Sequence, residues 1–363
     1  MPGCVRAFPF VRNKGLLYLK HYCFRTKGVS MGRRGIAFMM IMALTGALYG
    51  EEAPLAFQSR PFSDYLGEIY RVSSTLEEQG QDYRMQNLFD GYAGSSWVEG
   101  EKGDGVGETL TMAIPHGADT MALLNGFARS RSLFFKNNRV REFTLTVERG
   151  YTPSGYVTEQ GPLLLTIPVS EPISLKVNDT RELQVLSLSL PWEEIDGKRE
   201  VVDQAFEAFS LIEGYPKNYT ALYLLELKIS AVFPGSEWDD TCLSEIRIFN
   251  KEKFSVTSVE ARNGMIYYQQ EGAQEKILYR DPSLILDLLD VSPDRKWCIA
   301  YGQYIDPERM RQTAYLVFHL PNPAPWNEQK EGPGEEERIP VEFSEQEGTL
   351  FLEWADGTRS ELE

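Results

Sequence analysis

The run Asn87-Leu-Phe-Asp-Gly-Tyr-Ala-Gly-Ser-Ser-Trp97-Val-Glu-Gly-Glu-Lys-Gly-Asp-Gly-Val-Gly-Glu108 is neither a helix nor a central strand. Its Asp90-Gly91 pair marks a tight turn, because glycine takes positive φ at little steric cost. Ser95 follows Asp90 by five residues and Trp97 follows it by seven. Gly94, Gly100, Gly103, Gly105 and Gly107 keep the chain in loop conformations until Thr109. An ordered, Gly-rich loop carrying an Asp and a Trp belongs at the end of a β-sandwich, where such folds place binding residues.

Outward from this loop the chain alternates apolar and polar residues with a period of two. Strands are expected over Gly107–Ile114, Thr120–Phe127, Arg141–Glu148, Leu163–Pro168, Ile173–Lys176, Glu182–Leu190, Tyr223–Val232 and Ser244–Phe249. Pro115-His116-Gly117, Asn178-Asp179 and Pro234-Gly235 supply the turns between them. Short strands broken by Gly and Pro predict an all-β sandwich. Glu194–Glu213 is the exception, a helix-like insertion containing Arg199–Phe209.

The chain has 363 residues and 42% hydrophobic content, enough to bury a sizeable core and to form two or three domains. Residues 1–50 hold eight of the 37 basic residues and none of the 53 acidic ones, so the remainder carries a net −24. Such a surface repels nucleic acid and anionic membrane alike. Arg33-Arg34, the apolar run Ile36–Leu48 and the small residues near Gly50 predict a secretory signal peptide, with translation starting at Met31. The apolar run is short for a transmembrane span, although a retained anchor helix is the alternative. Residues 1–50 are therefore a leader and 51–69 a lead-in. With no CxxC pair and no HExxH, a zinc site is not expected.

Six blocks in register carry a family resemblance. They are Val72-Ser-Ser-Thr-Leu76, Asn87-Leu-Phe-Asp-Gly91 with Trp97-Val-Glu-Gly100, Gly103-Asp-Gly-Val-Gly-Glu108, Asn125-Gly-Phe127, Asn137-Asn-Arg-Val140, and Pro234 through Ile246. Together they resemble the discoidin-like (coagulation-factor C-type) jelly rolls, and within that superfamily the NADase-type glycan-binding, or NAD-glycohydrolase translocation, domain. The resemblance implies a discoidin-like jelly-roll β-sandwich over 70–250 that binds and delivers; NAD hydrolysis would belong to a separate catalytic domain, which the sequence does not contain. It also implies a structural calcium held by Asp90, Ser95 and Glu245, with Ser where Thr is usual. Calcium takes several oxygen ligands, and Gly-rich loops offer carbonyls. The plain alternative is that Asp90 caps its own turn and Glu245 pairs with a nearby Arg.

A ligand pocket is expected from Arg129, Asn137, Asn138 and Arg139 after the Asn125-Gly126-Phe127 turn, with Arg131 beside them and with Trp97 and Trp238 on neighbouring loops. Aromatic faces suit the C–H surfaces of sugars, and planar amide or guanidinium donors suit hydroxyls. Trp97 also reads as a core residue under its loop, and Arg139 as a partner of Asp239 or Asp240. The Asp239-Asp240 pair has the residue types for acid–base work but no nucleophile or His partner in view.

Beyond Asn250 a small β-rich accessory domain is expected over 251–363, with a mobile loop at 321–337. Within it, Asp281–Leu289 reads as a short helix with Asp at the N-cap and Pro at the first position. Trp297–Tyr301 and Gln312–His319 read as paired strands, and a hairpin turns at Ala355-Asp356-Gly357. A Cys242–Cys298 disulfide is conceivable in an oxidising compartment. The functional expectation is an exported, non-catalytic glycan-binding protein of the cell envelope, meeting a glycan or glycosylated surface, with no nucleic-acid partner and no membrane span after signal cleavage. The rival expectation is a structural module that holds a protein partner.

Overall fold

The computed structural model describes residues 55–159, 161–307, 309, 313–322, 324–325, 327–328 and 339–362. The leader and most of the 321–337 loop lie outside the described residues. Thirteen strands join into one hydrogen-bonded system. They are β1 (Gln58–Pro61), β2 (Ser63–Tyr65), β3 (Glu68–Val72), β4 (Trp97–Val98), β5 (Thr109–Ile114), β6 (Thr120–Asn125) and β7 (Asn138–Pro153), then β8 (Val157–Thr158), β9 (Gly161–Pro168), β10 (Ile173–Lys176), β11 (Gln184–Ser187), β12 (Tyr219–Phe233) and β13 (Thr241–Phe249). The main path runs β11-β6-β13-β7-β12-β5-β3-β2.

Sixteen-residue β7 is shared by several partners. Its first half pairs with β10 at Phe143 and Leu145, its second half with β9 at Glu148 to Tyr151, and β12 runs beside it from Arg139 to Pro153. Strand β13 closes the roll. It runs antiparallel to β6 and, over Thr241 and Cys242, parallel to β7. Inward side chains including Trp97, Leu110, Met121, Phe143, Leu225 and Ile246 form one core. Each contributes about 2 kcal/mol or more by leaving water.

The helix expected from Glu194 begins two residues earlier, spanning Trp192–Glu213, and ends on Gly214 in the left-handed region. Glu193 and Glu194 in its first turn complement the helix dipole. Ile195, Val202, Phe206 and Phe209 face the core, where Tyr151 stacks on Phe206 at 3.8 Å between ring centroids.

Three antiparallel meanders follow. The first is β14 (Ser258–Arg262), β15 (Met265–Gln269) and β16 (Lys276–Arg280). The second is β17 (Leu284–Val291), β18 (Trp297–Tyr304), β19 (Thr313–His319) and β20 (Asn327–Glu328), and the third is β21 (Pro340–Gln346), β22 (Thr349–Trp354) and β23 (Arg359–Leu362). The helix expected at Asp281–Leu289 is not formed. Asp281 instead caps a turn by accepting from the Ser283 N–H, and β17 then buries Leu284 and Leu286 while Ile285 and Asp287 face out. Its apolar run satisfies both periods, and pairing with β18 selects the strand. Strand β14 starts at Ser258, with Phe254 and Val256 just before it sunk into the core beneath.

The first two meanders share their core with the jelly roll, since Ala122 and Phe249 pack in one cluster with Ile266, Leu278, Leu286 and Phe318, while the third packs Phe343, Leu352 and Trp354 against Trp297, Ile299 and Val317 of the second. Cys242 and Cys298 are both buried free thiols, so the conceivable disulfide is not made. Among the described residues no helix is long and apolar enough to cross a membrane.

Candidate functional site

The Asn87–Glu108 run is the foundation of one end of the sandwich. Trp97 is fully buried, and its indole N–H donates to the Ser74 carbonyl at 3.2 Å. Val98 accepts from the Leu76 N–H and donates to the Tyr83 carbonyl, while the Asn87 amide donates to the carbonyls of Asp82 and Ser96. These bonds seat the 74–86 segment on β4. The seat is tight, since a Cβ on Gly100 would stand 2.4 Å from the Thr75 carbonyl oxygen. Trp97 therefore supports a loop from below and presents no face to solvent.

The Asn/Arg cluster is also structural. Asn125 is buried; its carbonyl oxygen accepts from Gly126 and Val140 N–H groups and its amide donates to the Val140 carbonyl. Asn137 ends the short helix Arg131–Lys136 and donates to the Leu133 carbonyl. Asn138 donates to the Asp239 carbonyl and accepts from the Gly235 N–H. Arg139 is buried and forms a fork with Asp179, Nε to Oδ1 at 3.0 Å and Nη2 to Oδ2 at 2.7 Å, and its Nη1 reaches the carbonyls of Asn137 and Pro234. Its partner is thus Asp179 rather than Asp239 or Asp240. These four side chains converge as expected, but with their donors and acceptors occupied. Arg129 is exposed, as is Trp238 at 38%, with the Lys136 ammonium 5.0 Å from the Trp238 ring centroid.

Asp90, Ser95 and Glu245 also come together. Asp90 caps its turn by accepting from the Tyr92 N–H at 2.9 Å, and the Ser95 hydroxyl donates to both of its oxygens at 3.0 Å. Glu245 is fully buried beside Asp90, and burial pushes both carboxyls above their ordinary range. Arg247 Nη1 lies 3.0 Å from Glu245 Oε2, yet neither Glu245 oxygen receives a well-formed hydrogen bond. Two orphaned carboxylate oxygens beside a second carboxylate and a hydroxyl form a donor set of the hard-oxygen kind that calcium uses, with Arg247 offsetting part of the charge. No group of three or more His, Cys, Asp or Glu poised to hold a metal occurs among the described residues. A cation here would rely on Ser95 and backbone carbonyls as well. The same turn seats the first meander. The Arg280 N–H donates to the Gly91 carbonyl, and a Cβ on Gly91 would stand 2.9 Å from Tyr279 Cα. Arg247 bridges the carbonyls of Leu88 and Ile277.

A cleft of about 800 Å³ lies beside β2 and β3, walled by the 75–86 segment. Tyr70, Met85, Val72 and Leu76 supply its buried and half-buried lining. Glu77, Glu78, Gln79, Gln81, Asp82 and Arg84 supply the exposed lining. Arg84 forks onto Asp82 through two 2.7 Å bonds and holds that carboxyl below its ordinary range. Tyr70 is 3% exposed, its hydroxyl has no hydrogen-bond partner, and burial raises its pKa to about 12. Tyr83, also lining the cleft, donates to Glu78 at 3.3 Å and meets Phe127 edge-on. Sequence reasoning missed these residues, and the one signal that could have found them is their density of Gln, Tyr and carboxylate side chains.

A long shared strand closed by a short parallel pairing, a Gly-rich loop over a buried Trp and an Asp-Gly turn facing a Glu on the closing strand define a discoidin-like, F5/8 type C jelly roll. The chain belongs to one family of that class: the model of the NAD glycohydrolase translocation F5/8 type C domain matches residues 64–250, just over half of the chain. Among solved structures, the F5/8 type C domain of a Bacteroides fragilis protein is similar at 9% identity and a TM-score of 0.26, covering 52% of this chain and 94% of that one. The arabinofuranosyltransferase AftD from Mycobacteria is similar at 8% identity and a TM-score of 0.27, covering 66% of this chain and 17% of that one. No curated protein matches the sequence.

Proposed function

We propose that this chain is an exported, non-catalytic protein whose discoidin-like jelly roll binds a glycan. The cleft between β3 and the 75–86 segment carries the reading. It combines phenol, amide, carboxylate and guanidinium groups, which recognise hydroxyls, with a half-buried apolar lining. Arg129, Arg131 and Trp238 are the residues of the expected pocket that remain exposed, and they add a second ledge for a longer glycan. Asn125, Asn137, Asn138, Arg139 and Trp97 hold the loops in place. Asp90, Ser95 and Glu245 would hold a structural calcium that stiffens the turn beneath the meanders. The leader, with Arg33-Arg34 and Ile36–Leu48, supports export. A binding role also suits the two described His residues in or near the sandwich and meanders: His116 is held by Asp196 and His319 packs on Trp297.

The test is a glycan-array screen of the full chain with and without EDTA. The proposal predicts a coherent class of bound sugars, and weaker binding in EDTA supports the calcium. A blank array from folded protein would favour the second reading, a protein-interaction module. One observation supports that reading: Val201, Ala208, Leu211 and Ile212 are exposed on the outer side of the Trp192–Glu213 helix.

A further inference from the structure

Asp90 and Glu245 lie side by side beneath the 88–92 turn, and Glu245 is fully buried. Two carboxylates packed together out of water need a positive charge beside them. The chain supplies one. Arg247, two residues along β13, is buried, and its Nη1 stands 3.0 Å from Glu245 Oε2. The same guanidinium is fixed from three sides. Its Nη1 donates to the carbonyls of Leu88 at 2.7 Å and Ile246 at 2.8 Å, and its Nη2 donates to the carbonyl of Ile277 at 3.2 Å. With those hydrogens aimed at carbonyls, Arg247 offers Glu245 charge rather than a hydrogen bond, and both Glu245 oxygens lack a hydrogen-bond partner.

The other charges near the site are paired or exposed. Lys276 pairs with Glu68 at 2.5 Å across the junction with the first meander. Arg280 is exposed, 6.0 Å from the Tyr92 ring centroid. The buried charge is therefore Asp90 and Glu245 against Arg247. For a divalent ion this arrangement cuts both ways. The orphaned Glu245 oxygens attract the metal, whereas the guanidinium is a like charge held in place by three carbonyls. In the metal-free chain the same guanidinium offsets the carboxylate pair and lets the turn keep its shape.

We infer that Arg247 sets the affinity of this site: it is a resident counter-cation that keeps the turn folded without metal and holds calcium binding weak, so that the site fills only in calcium-rich surroundings outside the cell. This rests on the calcium reading of Asp90, Ser95 and Glu245 and adds how that site is regulated. Calcium sites of extracellular modules work at about 0.1–1 mM, and the leader directs the chain to such surroundings. Arg247 acts through Glu245, as a positioning residue.

The experiment is calorimetric titration of the EDTA-stripped full chain with calcium chloride at physiological salt. Only binding that Glu245→Gln removes is counted, which sets aside calcium held loosely by the acidic surface. The parent chain is expected to bind at about 0.1–1 mM and to unfold cooperatively in EDTA as well. Arg247→Gln should bind about tenfold tighter or more, because a unit charge beside a divalent ion is removed. Arg247→Lys keeps the charge and loses the guanidinium fork; it should lower the thermal midpoint and leave the calcium affinity within about twofold of the parent. A merely structural role would move the two variants alike. Should Arg247→Gln be unfolded in EDTA, calcium is expected to refold it, with the metal taking over the missing charge. Binding by Arg247→Gln alone would also support the inference. Micromolar or tighter binding by the parent, equal affinity in the parent and Arg247→Gln, or a Gln variant that stays unfolded in saturating calcium would overturn it while the calcium reading stands. No Glu245-dependent binding by the parent or either Arg247 variant would overturn the two together.

Discussion

Two neighbouring regions use polar side chains in opposite ways. Around Asn125, Asn138 and Arg139 the planar donors are buried and paired with carbonyls, N–H groups and Asp179. Across the same end of the sandwich, the rim of the 75–86 cleft carries the exposed carboxylates Glu77 and Glu78, which form no ion pair with a Lys or Arg among the described residues. The conspicuous Asn/Arg motif fixes loops that carry no ladder hydrogen bonds of their own. In the proposed function, recognition falls to less conspicuous residues on the segment those loops support. A buried, satisfied polar group rigidifies, whereas an exposed one on a cleft rim is accessible to a partner.

The contrast predicts where a substitution is felt. The largest effect on stability is expected from Arg139→Ala, which strands Asp179 and two carbonyls; urea denaturation should show a loss of about 3 kcal/mol. Calcium comes next. If Asp90, Ser95 and Glu245 hold it, saturation at a hundred times the dissociation constant stabilises by about 2.7 kcal/mol, and Glu245→Gln should abolish that gain in a thermal scan. Gly100→Ala should cost about 2 kcal/mol, because its Cβ has no room against Thr75. At the small end, Glu78→Gln should leave stability within about 0.5 kcal/mol, since this exposed side chain accepts only a 3.3 Å bond from Tyr83, which the Gln carbonyl can also accept.

A pH scan sharpens the same contrast. Burial pushes the Glu99 carboxyl up to about 7 from 4.5, so between those values the folded chain keeps a proton that the unfolded chain has lost. Its contribution to stability is therefore full below the lower value, declines as pH rises through the interval and is gone above the upper one. Thermal midpoints of Glu99→Gln should show a shallower decline across that window than the parent chain.

Much of the fold was legible because its strands alternate cleanly and its turns carry Gly, Pro or Asn-Asp. The helix over Trp192–Glu213 follows from its apolar spacing, whereas β13 is buried on both faces along nearly its whole length, which only its pairing with β6 and β7 explains. Asp281–Leu289 was misread because Leu284-Ile-Leu-Asp-Leu-Leu289 fits either period and an Asp-Pro start imitates a helix cap; only its neighbour β18 decides. At the candidate site, the sequence grouped loop residues that do lie together but could not show which were buried. Arg139 meets Asp179 forty residues away, a pairing set by tertiary closure. Trp97 has the residue type of a sugar platform and the position of a core anchor, and only burial separates the two. The cleft was invisible because Glu77 to Gln86 has no periodicity, and its floor is borrowed from β3.

The most direct measurement is hydrogen–deuterium exchange of the full chain with and without a saturating oligosaccharide chosen from the array. The account predicts protection concentrated in residues 74–86 and around Asp240, with little change across 125–139, whose hydrogen bonds are already made. Protection confined to 125–139, with the 74–86 segment unaffected, would contradict it.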